Sequence, residues 1–199
     1  MKYDPQKHHR RSIRLKGYDY TQAGAYFVTI CGHNRECLFG EIVDGEMRVN
    51  EYGKIVVDEW TNTACVRANV ELDEFVLMPN HMHSIIVLTG DDVATNDLDV
   101  NGVGASRRLA PITEQLASTK RHAPSPGSLG AIMAQFKSIV TKRINTLRGT
   151  QGAPVWQRNY YENIIRNEKE LERIRKYITN NPANWAADQE NPSNGNKAK

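Results

Sequence analysis

An α+β domain of the ferredoxin-like split βαβ type, with an antiparallel sheet and helices on one face, is predicted by three features of the sequence. Segments with strand and helix periodicity follow one another in the order strand, helix, strand, strand, helix, strand. Turn or stop chemistry falls between them at Asp44-Gly45, Pro79-Asn80 and Gly149. A further amphipathic helix at the C-terminal end, carrying a tyrosine, is added to that pattern. A chain of 199 residues is long enough to bury one self-sufficient core, and 39% hydrophobic with 25% charged residues is an ordinary globular composition.

Taken in order, AYFVTICG (25–32) has the β-branched and aromatic content of a strand. LFGEIVDGEMRVN (38–50) reads as a hairpin turning on Asp44-Gly45. Asn50 can cap a helix over 51–65, where Tyr52, Ile55, Val56, Trp60 and Ala64 follow helical spacing. VELDEFVLMPN and HMHSIIVL (70–88) form two antiparallel strands with a tight junction. Residues 90–127, rich in Gly, Ser, Ala, Asn, Asp and Pro, read as a flexible insertion with a short helical turn near 112–118. Ser128 then caps a helix that stops at Gly149 and aligns Leu129, Ile132, Met133, Phe136, Ile139, Val140, Ile144 and Leu147 on one face. VWQRNYYENIIR (155–166) is a strand or an extended arm, and 168–180 is a helix ended by Asn181-Pro182. The expected organisation is one domain over 1–187, with a basic arm at 1–20, and a disordered tail at 188–199.

No apolar run reaches the ~18 residues of a membrane span, and the first twenty residues lack a signal-peptide core, so a cytoplasmic location without a membrane partner is expected. Cys31, Cys37 and Cys65 form neither an even set nor a CxxC, which argues for reduced thiols. The net charge of +3 hides an asymmetry. No Asp or Glu occurs from Gln115 to Tyr161, a span containing Lys137, Lys142, Arg143, Arg148 and Arg158, and Arg10, Arg11, Arg14 and Lys16 cluster near the start. Clustered cations gain affinity for a phosphate backbone by counterion release; a solvated surface with uneven charge fits the same pattern.

Two constellations carry chemistry. Strand residues two apart share a face, so His81 and His83 present their rings side by side, as two ligands of a divalent cation or as a hydrogen-bonded pair at the sheet edge. In the last helix Tyr177 borders the apolar stripe of Leu171, Ile174 and Ile178, with Asn181 one turn on. That pair is either reactive or an ordinary rim tyrosine beside a helix stop. Trp156, Tyr160 and Tyr161 are candidates for stacking on unpaired bases, with burial in the core as the competing reading.

YFVTICGHNRECLFGEI, FVLMPNHMHSIIVL, GAIMAQFKSIVTKRIN and VWQRNYYENIIRNEKELERIRKYITNNPANW together resemble the REP-associated tyrosine transposases, relatives of the single-tyrosine HUH transposases. The resemblance spans nearly the whole chain outside 90–127 and the tail. It implies a single-stranded DNA endonuclease and transposase that cuts and rejoins hairpin-forming repeats through a 5′-phosphotyrosine. It further implies Tyr177 as nucleophile, His81 and His83 as metal ligands with Met82 facing away, Asn181 as third ligand, and Mg²⁺ or Mn²⁺ as cofactor. The implied partner is single-stranded DNA with palindromic repeat hairpins, bound by a monomer or a homodimer. Arg10, Arg11, Arg14, Lys16, Lys137, Lys142, Arg143 and Arg158 are the candidate phosphate contacts, with Trp156 and Tyr160 as stacking residues. The pattern departs at Asn163, where members of the family often carry a histidine.

Three other readings compete. One is a regulator, derived from a transposase, that binds hairpins without cutting them. A replication-initiating nuclease shares the His-x-His and tyrosine chemistry but usually carries a helicase, for which 199 residues leave no room. An RNA-binding sheet would need aromatic central strands, and residues 75–88 are mostly aliphatic.

Overall fold

The computed structural model describes residues 18–90 and 124–194. Arg10, Arg11, Arg14 and Lys16 of the predicted arm, the turn expected near 112–118, and residues 195–199 lie outside them. In chain order the elements are β1 (Gly24–Cys31), β2 (Gly40–Val43), β3 (Glu46–Val49), α1 (Glu51–Cys65), β4 (Val70–Leu77), β5 (His81–Leu88), α2 (Leu129–Arg148), β6 (Tyr161–Ile165) and α3 (Glu168–Asn180).

The local signals that set these boundaries are visible in the backbone. Asp44 and Gly45 both take positive φ (53° and 79°), as the tight β2–β3 hairpin requires. The Asn50 side chain accepts from the Gly53 N–H and caps α1, while Ser128 does the same for α2 through Ala131. Gly149 ends α2 in the left-handed conformation at φ 68°. Asn167 caps α3 through the Glu170 N–H.

Four strands form one antiparallel sheet in the order β4-β5-β1-β6, and β2-β3 stand apart as a two-stranded hairpin. This is the predicted split βαβ topology, with the central pair β1 and β5 in register so that Thr29 faces His83 and Cys31 faces His81. Strand alternation then divides the side chains between two layers. Tyr26, Val28, Ile30, Met82, Ile86 and Leu88 enter the main core against Val56 and Trp60 of α1 and Ile132, Phe136 and Val140 of α2. On the other face Phe27 and Ile85 pack against Ile174 and Ile178 of α3. His81 and His83 are in phase with Ile85 and therefore lie under α3.

Two expectations need correction. Ile139 and Leu147, aligned by their spacing on one face with the residues of α2 that enter the core, are 36% and 52% exposed. Ile139 is at the flank of the stripe, and Leu147 lies in the last turn, beyond Ile144, which packs into the core. Residues 188–194 belong to the predicted disordered tail, but they fold back on the domain. Arg35 pairs with Glu190 at 2.8 Å, the Glu190 carbonyl accepts from Asn80, and the Asn191 side chain donates to the Trp185 carbonyl.

The α2 correction yields a stability test. Ile144→Ala should lower the unfolding free energy by about 2–5 kcal/mol, because it empties a fully buried site, whereas Leu147→Ala should change it by no more than about 0.5 kcal/mol. Urea denaturation followed by circular dichroism measures both.

Candidate active site

The site forms where the start of β5 meets the last turn of α3. Met78, Pro79 and Asn80 connect β4 to β5, and the Met78 N–H bonds to the His81 carbonyl, which holds the histidines at the head of the strand. Gly32, just after β1, closes in from the side: its N–H donates to the Asn80 carbonyl at 2.6 Å, and a Cβ there would lie 2.9 Å from that oxygen. Helix α3 is fixed by its apolar stripe and by Arg175, which grips both carboxylate oxygens of Asp73 at 2.9 and 2.6 Å. Asp73 lies at the irregularity of β4 between Leu72 and Phe75. Pro182 has no N–H to offer the Ile178 carbonyl; the Asn181 N–H takes it instead and ends the helix with Asn181 turned inward.

His81, His83, Tyr177 and Asn181, picked out in the sequence, are brought together. The Nε2 atoms of the two histidines are 3.1 Å apart, and the Tyr177 hydroxyl lies 3.2 Å from His83 Nε2. Thr29 Oγ1 contacts His83 Nδ1 at 2.7 Å, while Asn80 Oδ1 contacts His81 Nδ1 at 2.8 Å. His81 and His83 are buried, and Tyr177 is 49% exposed. Met82 faces the main core, as strand alternation requires.

Burial pushes the pKa of both imidazoles well below the ordinary 6.5, and the neighbouring His81 lowers His83 further, while the Asp188 charge works the other way on His81. Both rings are therefore neutral near pH 7. Burial also raises the Tyr177 phenol, with the Asp188 carboxylate adding to the effect and the Asn181 side chain opposing it.

Asp188 completes a group with the two histidines whose ligand atoms all lie within 4.8 Å of one another, its Oδ2 being 3.9 Å from His81 Nε2. Asn181 is 3% exposed, and its buried Oδ1 has no hydrogen-bond partner. Two neutral imidazoles, a carboxylate and an unpaired amide oxygen suit a divalent cation, with the oxygen donors favouring Mg²⁺ or Mn²⁺. The residues present thus fit such an ion.

A cleft of about 1000 Å³ opens beside this group. Tyr161, Arg173, Lys176, Tyr177 and Asn180 line it, together with Asp188. Tyr160, a predicted stacking residue, also lines it, and Arg158 is exposed on the segment leading there. Other predicted DNA contacts fall elsewhere. Trp156 is a core residue, 6% exposed and 4.8 Å from the Phe39 ring, so it offers no face to a base. The Lys137 ammonium donates to the carbonyls of Gln157 and Arg158 at 2.6 and 3.1 Å, and burial lowers its pKa to about 8. Arg143 pairs with Glu59 at 2.6 Å, and with Lys142 it belongs to α2, on the sheet face away from the histidines. Asn163 donates to Glu170, which bonds the Arg166 N–H in turn, so it braces the start of α3.

Thr29, Asp188, Arg173 and Lys176 carry no mark in the sequence reading, and Asn80 stands there only as a turn residue. Arg173, one turn before Tyr177 on the same helix, could have been found by its i, i+4 spacing. Thr29 and Asp188 have no such signal, since only the β1–β5 register and the path of the final segment bring them in.

No family model matches the chain. A protein of Haemophilus influenzae, described as uncharacterized, is 41% identical over 191 residues, covering 94% of this chain and 96% of its own length. The solved structure of a REP-associated tyrosine transposase bound to a REP hairpin superposes with a TM-score of 0.51 at 17% identity, covering 86% of this chain and 73% of that one.

The burial of the histidines sets a pH dependence in the metal-free protein. Folded-state pKa values below 6.5 mean that the unfolded chain binds protons first as the pH falls, so stability is held above about pH 6.5 and lost below it. The slope can reach about 1.4 kcal/mol per pH unit for each histidine. Urea midpoints between pH 7.5 and 5 should fall more steeply for the wild type than for the His81→Gln/His83→Gln double variant; equal slopes would contradict this.

Proposed function

We propose that this chain, which belongs to one family with the Haemophilus influenzae protein and has the fold of the REP-associated tyrosine transposases, cleaves and rejoins single-stranded DNA at hairpin-forming repeats with Tyr177 as nucleophile. The observation that carries the reading is the half-exposed Tyr177 hydroxyl 3.2 Å from His83 Nε2, in the lining of a cleft of about 1000 Å³. The solved relative in fold is bound to a REP hairpin, which supports the same class of DNA for this chain.

In the proposed reaction the Tyr177 oxygen forms a bond to the scissile phosphorus, and the bond from phosphorus to the 3′ oxygen breaks. The product is a 5′-phosphotyrosine, and the departing 3′ oxygen takes a proton to become a hydroxyl. Attack by a 3′-hydroxyl on the phosphotyrosine reverses the step, so rejoining needs no external energy source. A divalent cation held by His81, His83 and Asp188, with the Asn181 oxygen beside them, would offset phosphate charge and orient the scissile group. In the tautomer with Nε2 unprotonated, His83 has one lone pair there, which either accepts the Tyr177 hydrogen bond or serves as a ligand. With a ligand role the phenol proton leaves toward water on the exposed side of Tyr177. The Asn181 carboxamide favours the phenolate by lowering the Tyr177 pKa. A phenol with an unperturbed pKa of about 10 needs that help near neutral pH.

Substrate would be held by chain contacts along the cleft. Arg173 and Lys176 supply positive charge for phosphates. Tyr161, 47% exposed and packed edge-on against Phe27, presents a ring for stacking where Trp156 cannot.

The test is a 3′-labelled single-stranded hairpin, drawn from the repeats flanking the gene, incubated with the protein and Mn²⁺. Wild type should give a labelled covalent adduct that survives denaturing electrophoresis, and Tyr177→Phe should give none. An adduct that persists in Tyr177→Phe sinks the assignment. Retarded but uncut hairpin with the wild type would favour the hairpin-binding regulator instead.

A further inference from the structure

We infer that Asn80 is a positioning residue that fixes the tautomer of His81 and, with the same carboxamide, anchors the segment that carries Asp188. The inference rests on the metal reading above only in that the lone pair and the carboxylate so presented would face an ion.

Asn80 is fully buried. Its Nδ2 donates to two backbone carbonyls, of Arg35 at 3.0 Å and of Glu190 at 2.6 Å. Carbonyls only accept, so the NH₂ end of the carboxamide must face them and the flip is decided. The other end, Oδ1, lies 2.8 Å from His81 Nδ1. An amide oxygen cannot donate, so Nδ1 of His81 carries the hydrogen, and Nε2 of the neutral ring keeps its lone pair. That lone pair points where His83 Nε2 lies at 3.1 Å and Asp188 Oδ2 at 3.9 Å. Turning the carboxamide over would set its oxygen against two carbonyl oxygens in a site without water access.

Both carbonyls are delivered by unusual or doubly held backbone. Asn34 and Arg35 are left-handed, with φ of 53° and 58°, where non-glycine residues are uncommon. Glu190 is held a second time by its ion pair with Arg35 at 2.8 Å. Asp188 lies two residues before Glu190 and bonds the Glu190 N–H through its Oδ1 at 2.6 Å. One side chain therefore links ring orientation to carboxylate placement, although it touches neither the cleft nor Tyr177.

The experiment uses ¹⁵N-labelled, metal-free full-length protein and the long-range ¹H–¹⁵N correlation spectrum of its imidazoles, paired with Mn²⁺ titration. Wild-type His81 should show a protonated Nδ1 and an unprotonated Nε2. Asn80→Ala should abolish that preference and weaken Mn²⁺ binding by about 10- to 100-fold. Asn80→Asp keeps an acceptor for His81 but loses both donors, so the tautomer should survive while the amide signals of residues 188–191 move. A wild-type His81 protonated on Nε2 overturns the inference without any variant. So does a folded Asn80→Ala protein with wild-type tautomer and affinity. If that variant fails to fold, the wild-type spectrum and Asn80→Asp decide. Wild type with the expected tautomer but no Mn²⁺ binding refutes the metal reading and leaves the positioning role supported.

Discussion

The seam between α3 and the sheet, Ile174 and Ile178 set on Phe27 and Ile85, is the contact on which the site depends. Burying an aliphatic or aromatic side chain of this size stabilises by about 1.5–3 kcal/mol, and these four seat the 13-residue helix on the sheet. The partly exposed Arg175–Asp73 pair contributes direction more than energy. Helical phase does the remainder. With Ile174 and Ile178 facing down, Tyr177 has to stand on the rim, and Asn181, one turn later, has to turn in beneath it.

Strand β5 meets two demands at once. Met82, Ile86 and Leu88 anchor it in the main core, while His81, His83 and Ile85 face α3. The side-by-side placement of the two imidazoles is thus a by-product of alternation on a strand that is buried on both sides, and the main core keeps the rings from shifting. Burial has an electrostatic effect as well, because it keeps both rings neutral and so able to act as ligands or acceptors.

Much of this was readable in the sequence wherever the signal is local. Asn50, Ser128, Gly149 and Asp44-Gly45 mark their boundaries by short-range hydrogen bonding and φ preference, and the structure uses each of them so. His81, His83 and Tyr177 stood out by residue type and by the resemblance of four blocks, though their distances come only from the fold. What stayed illegible depends on contacts between distant segments. Trp156 has the look of a stacking ring until Phe39 and Phe136 are seen around it. Lys137 counts as a free cation until two backbone carbonyls take its ammonium. Asp188 lies in a polar stretch whose composition suggests fraying, and its place is set by Arg35 and Asn80, more than a hundred residues earlier.

Gly32 has a consequence for how this chain can vary. Any side chain at that position would meet the backbone oxygen of Asn80, and that oxygen belongs to the turn that launches the histidines. Gly32 does not line the cleft, yet the position admits one amino acid for steric reasons alone. Invariance inherited at such a place would reflect crowding around a turn rather than chemistry, and ranking residues by their constancy would mistake a spacer for a participant.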